Sequence, residues 1–112
     1  MGVYDIRVSS SEQAAFQIES PGTQGYIIGR SDESSEYQPD IDLAGYNARE
    51  EGVSRRHAAL VRYQGITQLL DLHSVNGTYI NGKRLAADTL HPVQSGDKIR
   101  LGNLELTFIQ VE

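Results

Sequence analysis

The residue pattern predicts an all-β domain, and three observations carry that expectation. Apolar residues recur with period two in short stretches, each stretch ends at turn residues, and no window sustains a helical stripe. Tyr4, Ile6 and Val8 share a face of the first stretch, and Phe16 and Ile18 a face of the second. Tyr26-Ile27-Ile28 is a third apolar run, closed by Gly29. Further along, Ala59, Val61 and Tyr63 are expected on one face, then Ile66, Leu70 and Leu72, and finally Leu104, Leu106 and Phe108. The punctuation between them is Pro21-Gly22, Gly45, Gly65, Asn76-Gly77, Asn81-Gly82, Ser95-Gly96-Asp97 and Gly102-Asn103. Several short strands at this spacing indicate a sandwich or a barrel. Both Asn-Gly pairs suit turns that need positive φ. Residues 31–51 break the alternation, and read as a long connection with one brief strand at Asp40–Leu43. Irregular loops of that length inside a compact domain are uncommon and often functional.

A chain of 112 residues is expected to form one domain over 1–112, with enough buried surface for a core of its own. It contains no cysteine, which excludes a disulfide scaffold, a thiol nucleophile and any Cys-ligated metal. No apolar run is long enough for a membrane-spanning helix, and no basic-then-apolar leader opens the chain. A cytoplasmic protein without membrane contact is therefore expected. The net charge is −5, which argues against general nucleic-acid binding. That charge is local. Residues 31–51 hold seven acids (Asp32, Glu33, Glu36, Asp40, Asp42, Glu50 and Glu51) against Arg49, for a net of −6. From Gly52 onward seven basic residues face five acidic ones, which leaves room for an anion site there.

Three polar groups stand out: Gly29-Arg30 at the end of an apolar run, Ser54-Arg55-Arg56-His57 before a strand, and Asp71 to Gly82, a strand leading into two tight turns. Each alone has an ordinary explanation as a solvated strand end, a basic turn or turn chemistry. In order, Gly29-Arg30, Ser54-Arg55-Arg56-His57, Ser74-Val75-Asn76-Gly77-Thr78 and Asn81-Gly82 resemble the signature of the forkhead-associated (FHA) domain family. Gly96-Asp97-Lys98-Ile99 and Leu101-Gly102 extend the likeness, which spans about residues 26–111. The resemblance implies an antiparallel β-sandwich of about eleven short strands with functional loops at one end. It also implies a non-enzymatic module that binds phosphothreonine peptides, needing neither cofactor nor metal. Carried over by motif, Arg30, Ser54 and Arg55 are expected to hold the phosphate, and Asn76 the peptide backbone. His57, Gly29, Gly77, Asn81 and Gly82 are expected to brace the loops. The implied partner is a phosphothreonine-bearing product of a Ser/Thr kinase, bound by a monomer.

The chemistry of these residue types fits that implication. A threonine phosphate carries ~1.5–2 negative charges and three acceptor oxygens. Guanidinium groups offer planar, multiply donating partners that never lose their charge. Arg56 is expected to alternate away from Arg55. Val75 stands where many family members have a polar residue, and its methyls are candidates to line a pocket for the threonine methyl, a contact worth ~0.8 kcal/mol. The acidic segment joins Arg30 to Ser54, so its ends must lie near the site. Its repulsion of a phosphate is expected to be diffuse and screened beyond ~8 Å, and to favour basic residues around the phosphothreonine.

Rival readings are a phosphate-independent interaction module on the same sandwich, a phosphoester hydrolase, a Ser54/His57 or Ser74/His73 hydrolase, and a metal site from His57, His73, His91 and Asp71. The enzyme and metal readings lack the supporting spacing: there is no Gly-x-Ser-x-Gly elbow, and the histidines are far apart in sequence. The phosphate-independent module is the more serious rival, and the presence of Arg30, Ser54, Arg55 and Asn76 argues for an intact site instead. Asn76-Gly77-Thr78 matches a glycosylation sequon but reads better as a turn. Ser9, Ser10, Ser11, Ser31, Ser34 and Ser35 are candidate phosphorylation positions of low weight.

Overall fold

The computed structural model describes residues 2–10 and 14–112, with only the backbone for 14 and 15. Among them run eleven strands: β1 (Val3–Val8), β2 (Ala14–Glu19), β3 (Tyr26–Gly29), β4 (Ile41–Asp42), β5 (Arg56–Tyr63), β6 (Ile66–Asp71), β7 (Thr78–Ile80), β8 (Lys83–Arg84), β9 (His91–Pro92), β10 (Lys98–Leu101) and β11 (Leu104–Gln110). They form two sheets, ordered β2-β1-β11-β10-β7-β8 and β4-β3-β5-β6-β9. Every pairing is antiparallel except β3 with β4, where Ile28 lies opposite Ile41. The result is the expected β-sandwich.

The period-two reading holds for the first sheet. Tyr4, Ile6 and Val8 on β1 and Leu104, Leu106 and Phe108 on β11 are buried between the sheets, with Tyr4 stacked on Phe108 at 4.8 Å between ring centroids. In the second sheet two strands are phased opposite to the sequence expectation. The inward residues of β5 are Ala58 and Leu60, not Ala59, Val61 and Tyr63, and Tyr63 is exposed. On β6 they are Thr67, Leu69 and Asp71, while Ile66 is exposed and Leu70 half-buried. The cause is local. From His57 to Val61 no charged residue marks an outward face. In β6 the inward set includes an acid, which pattern alone assigns to solvent. A slip of one residue flips every side chain of a strand, so an ambiguous strand can be phased wrongly as a unit. Asp71 tolerates burial because its Oδ1 accepts hydrogen bonds from the Thr78 hydroxyl at 2.6 Å and from the Ser74 hydroxyl.

Residues 31–51 are tethered at several points. Besides β4 they form a 3-10 turn at Ala44–Tyr46, and Ile41, Leu43 and Ala48 are buried in the core. Asp40 accepts the Ile27 amide at 2.8 Å, and Asp42 accepts those of Ser31 and Ala44 at 2.8 and 3.0 Å. Two of the segment's acids therefore anchor it to β3 and its own turn.

The paired Asn-Gly motifs differ. Asn81 (φ 51°) and Gly82 (φ 85°) form the two-residue turn between β7 and β8, a mirror-image turn suited to strand twist. At Asn76-Gly77 only Gly77 has positive φ (90°), and the pair lies in the loop before β7.

Candidate functional site

β3 and β5 end side by side at one edge of the sandwich. Gly29 makes that possible: a Cβ there would lie 1.9 Å from the Arg55 carbonyl oxygen. The Arg30 amide donates to the same carbonyl at 3.2 Å, and the Leu43 amide donates to the Gly29 carbonyl at 2.8 Å. Two residues remote in sequence, Arg30 and Arg55, are thereby set next to each other.

Their guanidinium groups meet on one oxygen. Asp32 Oδ2 accepts from Arg30 Nη1 at 3.3 Å and from Arg55 Nε at 3.2 Å, and is ion-paired with Arg55 Nη2 at 3.1 Å. Arg30 Nε also donates to the Val53 carbonyl at 2.7 Å, and Arg55 Nη2 to the Ser34 hydroxyl at 3.1 Å. The two arginines differ in setting, since the Arg30 side chain is 16% exposed and that of Arg55 50%. Together with Ser31, Asp32, Glu33, Ser34, Arg49 and Glu50 they line an open cleft of about 590 Å³. The second carboxylate oxygen of Asp32 accepts the Ser34 amide at 2.6 Å and the Ser34 hydroxyl. These Ser34 bonds, with the guanidiniums of Arg30 and Arg55, hold the Asp32 carboxyl well below the ordinary carboxylate range, and Asp32 is ionised at neutral pH.

A second, buried layer lies beside the cleft. His57 is fully buried. Its Nδ1 accepts the Ser54 amide at 2.9 Å, which places the proton on Nε2, and Nε2 donates to the Gly77 carbonyl at 2.9 Å. Burial pushes the imidazole below its ordinary value of 6.5, against the opposing pull of the Gly77 carbonyl and Asp71, so the ring is neutral. Because both ring nitrogens are committed to backbone groups, His57 makes no hydrogen bond to the Ser54 hydroxyl, and the Ser54/His57 hydrolase reading finds no dyad. Ser74 bonds Asp71 and the Gly77 amide, and exposed His73 pairs with Asp88, so the Ser74/His73 reading finds none either.

The remaining candidates lie on the adjoining loops, outside the lining of the cleft. Ser54 Oγ accepts the Val75 amide at 3.2 Å, joining the two loops. Asn76 Nδ2 donates to the Gly52 carbonyl at 3.0 Å. Val75 is 82% exposed and is not among the residues that line this cleft. Gly77 has little room for a Cβ, which would sit 2.9 Å from the Arg84 side chain. Asn81 pins the turn before β10: it donates to Asp97 at 3.0 Å and accepts the Lys98 amide at 2.9 Å. Arg56 turns away from Arg55 and stacks over Tyr37. Ser11 lies outside the described residues.

Sequence reasoning missed Asp32, Ser34 and Arg49. It treated the segment's acids as a diffuse field, whereas Asp32 touches both arginines directly. The available signal was Asp32-Glu33-Ser34, an acid two residues before a serine, which is the spacing of a side chain that caps its own turn.

Two arginines brought together at one edge of a two-sheet sandwich form the arrangement expected of a binding module. The family model described as FHA domain matches residues 26–102, and the chain belongs to that family of phosphothreonine-peptide-binding modules, which mediate phosphorylation-dependent protein–protein contacts. It is 30% identical over 109 residues to the oxoglutarate dehydrogenase inhibitor of Corynebacterium diphtheriae, covering 97% of this chain and 65% of that protein. It is 38% identical over 81 residues to an ABC transporter ATP-binding/permease protein of Mycobacterium tuberculosis, covering 72% of this chain and 8% of the transporter. The chain thus spans less than two thirds of either relative. A solved structure from work on phosphothreonine-dependent FHA domain interactions superposes with a TM-score of 0.71 at 26% identity, covering 97% of this chain and 96% of that one. Among the described residues, no helix is long and apolar enough to cross a membrane.

Proposed function

We propose that the cleft between Arg30 and Arg55 receives the phosphate of a phosphothreonine on a partner protein, and that residues 1–112 act as a single, monomeric, non-enzymatic reader. The observation that carries this reading is the convergence of both guanidinium groups, from separate strand ends, on a single anionic oxygen at 3.3 and 3.1 Å. A site that already gathers two cations around one carboxylate oxygen suits a phosphoryl group, which offers more charge and more acceptors. Ser54 supplies a hydroxyl that accepts from the Val75 amide and retains a proton to donate to a phosphate oxygen. Asn76, oriented by its bond to Gly52, faces the peptide backbone, and Val75 meets a side chain of the ligand. His57, Gly29, Gly77, Asn81 and Gly82 act on the site only through the loops they fix.

Glu33 and Glu50 line the same cleft as the arginines. They favour basic residues next to the phosphothreonine and disfavour acidic ones. The partner is a product of a Ser/Thr kinase, met in the cytoplasm, and its binding needs no cofactor or metal. Calorimetry of one peptide with and without its phosphate tests the reading. Micromolar binding, ~8 kcal/mol at 1 μM, is expected only with the phosphate. Equal binding of both forms returns the domain to the phosphate-independent alternative. An oriented phosphopeptide library tests the flanking preference, which fails if acidic flanks bind equally well or better.

A further inference from the structure

The cleft is not an empty anion site, because Asp32 occupies it. Every contact between Asp32 and the arginines uses Oδ2, while Oδ1 is held by the amide and hydroxyl of Ser34. One carboxylate oxygen therefore sits where two guanidinium groups converge, and the other is the hinge that keeps it tethered. Arg55, half-exposed, is bound to this tether twice, through Asp32 and through Ser34 Oγ.

We propose that Asp32 is a built-in occupant of the phosphate position, so that a phosphopeptide binds by exchange, its phosphate taking the two guanidinium groups as the carboxylate swings out on Ser34. This rests on the phosphate-binding reading above and deepens it, because it sets what the site rejects. A tethered group acts at an effective concentration that reaches the millimolar range for short connections. An aspartate or glutamate of another protein offers Arg30 and Arg55 no more than Asp32 does and must compete against that tether. A phosphate brings about twice the charge and three oxygens, and so prevails. Asp32 is thus a specificity-determining residue: it raises the threshold for every anion, and only strong ones pass. The cost falls on all ligands by one factor, since affinity scales with the fraction of molecules whose site is open.

The test is calorimetry with the tightest phosphothreonine peptide from an oriented library, at low and at high salt. Asp32→Asn keeps the shape and removes the charge, and is expected to tighten binding about threefold to tenfold. Glu33→Gln makes the same charge change in the same cleft, where Glu33 forms no ion pair among the described residues. Its gain is expected to be small and to vanish at high salt, where diffuse repulsion is screened, while the Asp32→Asn gain persists. Ser34→Ala loosens the tether without touching the charge, and is expected to tighten binding in the same direction by a smaller factor. That second variant decides the matter if Asp32→Asn fails to fold. Unchanged or weaker binding by Asp32→Asn overturns the inference and makes Asp32 a brace for the arginines. Equal gains from Asp32→Asn and Glu33→Gln that disappear together with salt overturn it as well. The reading it rests on fails differently: the phosphopeptide then binds neither the unmodified domain nor any variant, or binds without loss in Arg30→Ala.

Discussion

The cleft and the layer beside it use opposite physics at the same end of the molecule. The cleft is charged, open and made of side chains: Arg30, Arg55, Asp32 and Ser34. The neighbouring layer is neutral, buried and made largely of bonds to backbone, with His57 between the Ser54 amide and the Gly77 carbonyl. Charge left in contact with solvent can be exchanged for a ligand's charge. Backbone groups fixed by a neutral imidazole cannot move without loss of fold. The contrast separates what binds from what positions, and substitutions on either side of it, or on the line between, are expected to act differently.

Gly29→Ala sits on the line and has the largest expected effect. A Cβ 1.9 Å from the Arg55 carbonyl must push β3 from β5, so stability and phosphopeptide binding fall together. Thermal denaturation and calorimetry on the same sample check both. A folded Gly29→Ala with full affinity breaks the claim that this close approach builds the cleft. His57→Ala tests the buried layer. It leaves a cavity and unpairs two backbone groups, for an expected loss of about 2–4 kcal/mol in denaturant unfolding. Affinity follows only as far as the loops loosen, and an unaltered midpoint rejects the bracing role.

The two arginines divide the contrast more finely. Arg55→Ala is expected to weaken phosphopeptide binding about 10- to 100-fold, the scale of charge-assisted hydrogen bonds, with little change in melting temperature because half of its side chain is exposed. Arg30→Ala is expected to match that loss and also to destabilise by about 1 kcal/mol, since it gives up its bond to the Val53 carbonyl. The sequence gives Arg30 only the role of holding the phosphate. The structure assigns it a structural share as well. Equal melting temperatures for the two variants remove that distinction.

pH gives the smallest effect and reads both layers. His57 has a lowered value in the folded state, so below about 6.5 the unfolded chain takes up a proton that the folded chain refuses. Its contribution to stability is complete above that pH and is lost as pH falls toward the folded value. Binding responds through the ligand, because the second phosphate pKa is about 6 and affinity weakens as the dianion is lost. The stability trend is expected to disappear in His57→Ala and the binding trend to remain, in pH titrations of unfolding and of affinity. If both trends survive the substitution, His57 is not the titrating group.

Much of the site was legible because its residues are spaced by motif: the Gly-Arg, the Ser-Arg-Arg-His and the Asn-Gly pairs each carry a chemical reason for their residue types. Asp32 was not legible, since seven acids in one segment look alike until the chain folds and selects one. The strands divide in the same way. β1 and β11 alternate cleanly in sequence, and their alternating apolar residues are buried. In β5 and β6 a run without charged markers and a buried, satisfied acid hid the inward face.

The sequence by itself determined the all-β class, the places where the chain turns and the residue types able to hold a phosphate, because period, turn chemistry and side-chain charge are local properties. Only the tertiary structure decided which face of β5 and β6 is inside, that Arg30 and Arg55 are neighbours, and that Asp32 rather than solvent lies between them. Those facts depend on strands meeting across the sheet, and a charge is assigned its partner only when distance in space replaces distance along the chain.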